Sequence, residues 1–212
     1  MTATQVAHLE VPEEVSPEDQ ARAAIYGLVS NLFYAPPGME LLVTMARAGE
    51  IIAARCSETE LGRAWRELRR AAAAADEAAL RQEYDDTFIS TGRAPVFLYG
   101  SFYLAGFLME KPVARLRDEV ASLGLARKPE SGETEDHISA LCDVMRFLIL
   151  GDGTEPAAPI AVQREFFVRN IAPWYERLDA AIQGVESADF YKTAAMFARK
   201  FFDLESQSFE MD

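Results

Sequence analysis

Two short stretches of the chain combine residue types that could bind a peptide. The first, the acidic turn, precedes an amphipathic helical pattern and consists of Glu133, Thr134, Glu135, Asp136 and His137. At the start of a helix, unpaired N–H groups and the positive end of the dipole favour a carboxylate and disfavour a second proton on an imidazole. The second, the aromatic segment, spans residues 97–103 and includes Phe97, Tyr99, Ser101, Phe102 and Tyr103. A polar anchor with aromatic surface indicates peptide recognition rather than catalysis.

The residue inventory argues against an enzyme. Histidine occurs twice, as His8 and His137, and no G-x-S-x-G turn is present to expose a nucleophile. His137 and Cys142 are five residues apart, which is off the same-face helical spacing, and there is no C-x-x-C pair to suggest a metal site. The phosphate-binding motifs G-x-x-x-x-G-K-[ST] and G-x-G-x-x-G do not occur. We therefore predict no catalytic residues, no bound metal and no cofactor.

Each candidate residue also has an ordinary structural interpretation. His137 alone could bond a nearby backbone carbonyl, since buried polar groups are normally satisfied in this way. Asp136 alone could complement the helix dipole. Tyr99 and Tyr103 could be core aromatics with their hydroxyls near water. The peptide-binding interpretation rests on their occurrence together.

The net charge bears on the partner. The chain carries 21 Lys and Arg against 34 Asp and Glu, a formal charge of -13. Nucleic acid is disfavoured as a partner because its phosphates would be repelled, whereas a cationic partner would be attracted. The alternative interpretation of this charge is ordinary solubility.

Cysteine usage and hydropathy predict a cytoplasmic protein. The two cysteines, Cys56 and Cys142, lie in helical patterns and do not form a disulfide framework. Residues 1–15 are acidic and lack the basic start and apolar run of an export signal. No stretch reaches the roughly 20 apolar residues needed to span a bilayer, so stable membrane insertion is not expected.

Hydrophobic periodicity predicts an all-α fold, a single-domain bundle of about eight to ten helices over residues 16–212. We expect a mobile tail at 1–15, an apolar loop at 90–107 and a flexible connector at 151–159. Helix-start signals include Ser16 before Pro17, a capping box from Ser57 to Glu60, Asp76 and Thr134, and Gly124 suits a helix C-terminus.

Three motifs in the same order resemble the TorD/DmsD family of cytoplasmic redox-enzyme maturation chaperones, which also has nitrate-reductase assembly factors as relatives. Residues 83–88 are similar to the family's E-Y-x-x-L-F, with Thr87 in place of leucine. Residues 99–103 are similar to its aromatic, any residue, Ser, aliphatic, aromatic pattern. The acidic turn is similar to E-P-x-D-H, with Thr134 replacing proline, and Leu98 stands where many members have proline.

The resemblance implies a chaperone that is not an enzyme. It would bind the twin-arginine signal peptide and the mature part of a molybdenum-cofactor oxidoreductase catalytic subunit until the cofactor is inserted. Carboxylates suit guanidinium groups and aromatic rings suit an apolar stretch. Glu133, Glu135 and Asp136 would then bind the arginines, while Phe97, Tyr99, Phe102 and Tyr103 would bind the apolar part. We further hypothesise that His137 orients Asp136 or bonds peptide carbonyls.

Two other functions stay open at this stage. One is a small enzyme or nucleotide-binding protein that uses Asp136 and His137, because perturbed pairs often mark active sites. The other is a structural adaptor without peptide recognition. The oligomeric state is also open between a monomer and a domain-swapped homodimer, and the sequence does not identify the client.

Overall fold

The computed structural model describes residues 15–48, 59–89, 94–108, 111–127, 132–152 and 156–211, and within these ranges it contains ten α-helices and no β-strand. A π-helical turn at Asp85–Ile89 continues the fourth helix. The predicted all-α class is confirmed. The helices are α1 (Pro17–Tyr34), α2 (Met39–Arg47), α3 (Glu60–Ala74), α4 (Glu77–Tyr84), α5 (Gly100–Ala105), α6 (Lys111–Ser122), α7 (Ile138–Leu150), α8 (Ile160–Asn170), α9 (Tyr175–Gln183) and α10 (Phe190–Met211).

The described helices pack around one continuous apolar core. Helix α1 lies along α7, and the long α10 contacts α1, α3, α4 and α9. Burying large apolar side chains in this way is the main favourable contribution to folding. The predicted stripe on α4 and the turn that follows it is buried, at Leu80, Tyr84 and Phe88.

Several helix termini lie where the sequence predicted them. Ser16 accepts a hydrogen bond from the Asp19 N–H at 3.0 Å, and Asp76 accepts one from the Ala79 N–H at 2.9 Å. Gly124 follows α6 with a φ of 75°, a left-handed conformation that glycine adopts without the steric cost of a Cβ. These three local signals are confirmed. They were predictable from the sequence because each depends only on neighbouring residues.

Three local predictions were wrong. Helix α3 begins after Thr59, whose hydroxyl accepts from the Gly62 N–H at 3.0 Å, so Ser57 is not its cap. Helix α7 begins after His137 rather than near Thr134. The predicted apolar loop at 90–107 contains helix α5. For α3 and α7, a residue closer to the helix than the predicted one serves as the cap. For α5, a contact from the distant Asp136 supports the start of the helix.

Some predictions fall on residues outside the described ranges. These are most of the tail at 1–15, residues 90–93 of the loop, residues 153–155 of the connector, and Cys56. The tail's and connector's mobility therefore stays a prediction. In the part of the chain that is described, no helix has the length and apolar character required to cross a bilayer.

Candidate functional site

The acidic turn and the aromatic segment are in direct contact. Tyr99 and His137 form an isolated antiparallel β-bridge. On one side of it, the Gly100 N–H donates to the Asp136 carbonyl at 2.9 Å, and on the other the Ile138 N–H donates to the Leu98 carbonyl at 2.9 Å. The two stretches predicted to converge therefore form one local unit.

Asp136 is buried and holds the start of helix α5. Its Oδ2 accepts a hydrogen bond from the Ser101 N–H at 2.8 Å, and its Oδ1 accepts from the Thr134 hydroxyl at 2.6 Å. The side chain of Tyr99, the residue before α5, makes no capping hydrogen bond, and Asp136 instead accepts from a first-turn N–H although it lies in another part of the chain. Asp136 is only 3% exposed, which makes it a positioning residue in this conformation.

His137 caps helix α7 and is likewise buried. Its Nδ1 accepts from the Ser139 N–H at 3.2 Å and lies 2.6 Å from the Ser139 hydroxyl. Its ring meets that of Tyr99 edge to face at 5.1 Å. Burial lowers the pKa of His137 to about 4, so the imidazole is neutral near pH 7. Among the residues that the structure describes, the hydrogen-bond partner of His137 is Ser139, and neither Asp136 nor a backbone carbonyl takes that role.

Tyr103 is fixed by two residues that sequence reasoning did not single out as partners. Its ring stacks on that of Trp174 at 5.3 Å, and the Arg177 guanidinium lies 5.5 Å from its centre. Arg177 also donates to the Tyr103 carbonyl. A Cβ at Gly100 would lie 3.1 Å from the Trp174 indole nitrogen, so this tight packing explains the glycine. No local sequence signal pairs these residues, because they are far apart in the chain.

The aromatic segment also presents apolar surface. Phe97 and Phe102 are half-buried and pack at 4.6 Å, and Tyr99 is half-buried with its hydroxyl donating to Glu133. Burial and the Glu133 hydrogen bond raise the pKa of Tyr99. The apolar surface is extended by side chains that follow in the chain and are exposed: Leu104, Phe107 and Leu108.

A groove of about 590 Å³ lies beside the acidic turn, between α1, α7 and the end of α6. Its volume is within the range of ligand-binding clefts. Its apolar wall contains Tyr34, Val120, Leu125, Val144 and Phe147, and its charged residues are Arg127, Glu133, Glu135, Asp143 and Arg146.

This groove includes only part of the predicted site. Glu133 and Glu135 line it, whereas Asp136, His137 and the aromatic segment support the acidic turn without lining the groove. The sequence analysis did not identify the apolar wall on α1 and α7, which includes Tyr34, Val144 and Phe147. Direct peptide contact by the predicted residues stays a prediction.

The charges of the groove are mixed rather than purely acidic. Arg117 makes a two-pronged ion pair with Glu135, with Nε–Oε1 and Nη2–Oε2 distances of 2.8 and 3.0 Å. The hydrogen bond from Arg117 lowers the pKa of Glu135. Arg127 donates to the Glu133 carbonyl at 3.2 Å.

Among the described residues, no three His, Cys, Asp or Glu side chains are placed to hold a metal ion.

Comparison with known proteins assigns the chain to a family. A sequence model described as the nitrate reductase delta subunit matches residues 55–180, which include both the aromatic segment and the acidic turn. The chain belongs to this family. The resemblance predicted from the three motifs is therefore confirmed.

Two individual proteins are similar to this member of the delta subunit family. The chaperone protein TorD of Vibrio atlanticus (strain LGP32) is 23% identical over 135 residues, which is 60% of this chain and 63% of the relative. The match thus covers less than two thirds of that relative's length. A solved structure from Archaeoglobus fulgidus, described as a candidate redox enzyme maturation protein, has a TM-score of 0.55 at 19% identity. The match covers 87% of this chain and 93% of the archaeal chain, and it supports the all-helical fold.

Proposed function

We propose that this protein is a redox enzyme maturation chaperone. It binds the twin-arginine signal peptide and the apo form of a molybdenum-cofactor oxidoreductase catalytic subunit, assists cofactor insertion and prevents premature export. Membership of the delta subunit family and the likeness to TorD support this class of function. The observation that carries the proposal is the groove, in which the carboxylates of Glu133 and Glu135 lie beside an apolar wall.

The chemistry of a twin-arginine leader matches that of the groove. Its guanidinium groups need carboxylates, because a planar fork bonds a carboxylate through two parallel hydrogen bonds. Glu135, Glu133 and the exposed Asp143 supply such groups. Its apolar stretch needs a dry surface, which Val144 and Phe147 on α7 provide.

The aromatic segment has two roles in this proposal. Phe97, Tyr99 and Phe102, with the exposed Phe107 beyond them, form apolar surface suited to the unfolded or cofactor-free mature part of the client. The buried members of the predicted set hold that surface next to the acidic turn. They are Ser101, Tyr103, Asp136 and His137.

Chaperoning of this kind requires no chemical step. A protein that binds only the apo form of its client shifts the client toward that form by mass action, and it releases the client once folding around the cofactor removes the binding segment. The arrangement of Asp136 and His137 does not favour the enzyme alternative. Both are buried, and both are hydrogen-bonded by neighbours rather than to each other.

The proposal is tested by titrating a labelled twin-arginine peptide and following fluorescence anisotropy. Glu135→Gln and Phe147→Ala should each weaken binding several-fold, because one removes a carboxylate and the other an apolar contact. Matched controls are Glu67→Gln, whose exposed carboxylate pairs with Arg70, and Leu204→Ala, an exposed apolar residue on α10. Both controls should bind like the wild type.

Failure of binding would contradict the proposal if it extended to every relevant client. The panel must include leader peptides from all molybdoenzymes of the same organism and their full-length apo-subunits. A dimer whose interface covers the aromatic segment, with no peptide bound, would instead support the structural adaptor. Light scattering with and without peptide distinguishes these outcomes.

A further inference from the structure

We propose that Arg117 is an internal occupant of the guanidinium site, which the client's arginine displaces on binding. This inference rests on the proposed function and names the carboxylate involved, Glu135, and its competitor. The Arg117 Nε and Nη2 atoms donate to the two Glu135 oxygens at 2.8 and 3.0 Å. An arginine of a bound peptide would use the same geometry on the same carboxylate.

The two partners differ in their freedom to move. The Glu135 side chain is 9% exposed and lines the groove, whereas the Arg117 side chain is 60% exposed. A long, exposed arginine loses little by swinging into solvent, where water replaces its hydrogen bonds. The enclosed carboxylate keeps its position. Arg117 is therefore the partner that can leave the pair, while Glu135 stays in place.

Exchange of one guanidinium for another has two consequences. First, Glu135 keeps a cation as its partner in the free chaperone. Second, the incoming group must match the fork that it replaces. A lysine ammonium is a point charge that cannot make the two parallel bonds, so displacement favours arginine over lysine. Arg117 thereby lowers the affinity of every ligand of Glu135 by the same factor, and the preference for arginine belongs to the Glu135 carboxylate itself.

The experiment compares binding of peptides that carry Arg-Arg and Lys-Lys pairs. Arg117→Gln should tighten binding of the Arg-Arg peptide by about two- to fivefold, the range expected when an exposed ion pair no longer competes. The control is Arg115→Gln, which removes the same charge from an exposed position on the same helix but not from a partner of Glu135. It corrects for the general gain that any cationic peptide receives from a more negative protein.

A double-mutant cycle completes the test. In a Glu135→Gln background, Arg117→Gln should have no more effect than Arg115→Gln. In the wild type, the Arg117 side-chain Nε–H resonance should shift toward that of a free arginine when the Arg-Arg peptide is added. Circular dichroism and the urea midpoint check that each variant is folded.

The outcomes separate this inference from the proposed function. If the wild type binds twin-arginine peptide but Arg117→Gln equals Arg115→Gln, or weakens binding, the displacement mechanism is overturned and the chaperone function stands. If no variant binds any leader or apo-subunit, both proposals fail. Tightening of the Lys-Lys peptide alone would also overturn the displacement mechanism, because a competitor for Glu135 must weaken the arginine ligand as well.

Discussion

The carboxylate of Asp136 accepts a hydrogen bond at 2.8 Å from the backbone N–H of Ser101, which lies 35 residues earlier in the chain. Helix α5 has six residues and its preceding residue, Tyr99, makes no side-chain cap bond. A side chain of the acidic turn therefore caps the helix of the aromatic segment. Two of the three motifs that indicated the family are therefore parts of one structural unit.

Removal of that carboxylate should destabilise the protein. Asp136→Ala leaves the buried Ser101 N–H and the Thr134 hydroxyl without their acceptor, at an expected cost of about 2 to 3 kcal/mol in the free energy of unfolding. Asp136→Asn keeps one acceptor and should cost less. Urea denaturation measures both. The exposed Asp143→Ala is the control, and equal stability of Asp136→Ala and wild type would refute the capping role.

Gly100 should tolerate no side chain. A Cβ there would lie 3.1 and 3.2 Å from the Nε1 and Cε2 atoms of Trp174, whose ring is held by Tyr103 and by a 2.6 Å hydrogen bond to the Asn170 carbonyl. Because the indole cannot retreat freely, Gly100→Ala should lower the melting temperature and cost about 1 to 3 kcal/mol. Gly38→Ala, where a Cβ meets nothing within 4 Å, should be close to neutral.

Glu83 caps the last helix from a distance. Its carboxylate accepts hydrogen bonds from the N–H groups of Asp189, Phe190 and Tyr191 at 2.9, 3.3 and 2.9 Å. These donors have no partners within α10, so the charge also complements the helix dipole. Glu83→Ala should lower the free energy of unfolding by about 1 to 2 kcal/mol. The partial exposure of Glu83 keeps this cost small.

Hydrogen exchange gives the sharper readout for Glu83. Faster exchange of the amides at the start of α10 is expected, with little change in α7. Glu18→Ala, an exposed acid in the first turn of α1, is the control. Uniform acceleration across the whole chain would show global destabilisation and would contradict a local cap.

Acid should weaken the fold through His137. The pKa of His137 is about 4 in the folded protein against an ordinary 6.5, because burial disfavours the charged ring. The unfolded chain therefore binds more protons, and stability that is present above pH 6.5 is lost as the pH falls toward 4. Near pH 4.5 the loss should be about 2 kcal/mol.

His137→Asn isolates this contribution to the pH dependence. Asparagine can accept the Ser139 N–H as a helix cap but does not titrate. Unfolding free energies measured from about pH 7 to 4 should therefore fall less steeply in the variant, although carboxylates elsewhere still titrate. Parallel curves for the variant and wild type would contradict the assignment.

Local chemistry made much of the secondary structure predictable. Ser16, Asp76 and Gly124 mark helix ends through groups on adjacent residues, so their effect does not depend on the rest of the fold. The boundary at His137 was missed for the opposite reason. Its position is set jointly by a cap to Ser139 and by the bridge to Tyr99, a residue distant in sequence.

The sequence by itself determined the all-α class, the acidic balance and the three motifs that indicate the family, because periodicity, charge and short-range order are properties of the linear chain. Tertiary structure alone decided which side chains face a cavity. It buried Asp136 and His137 as supports, paired Arg117 with Glu135, and assembled the groove wall from Tyr34 and Phe147. The physical reason is that a groove is the space left when separate helices pack, and helical periodicity specifies an apolar face but not which helix covers it.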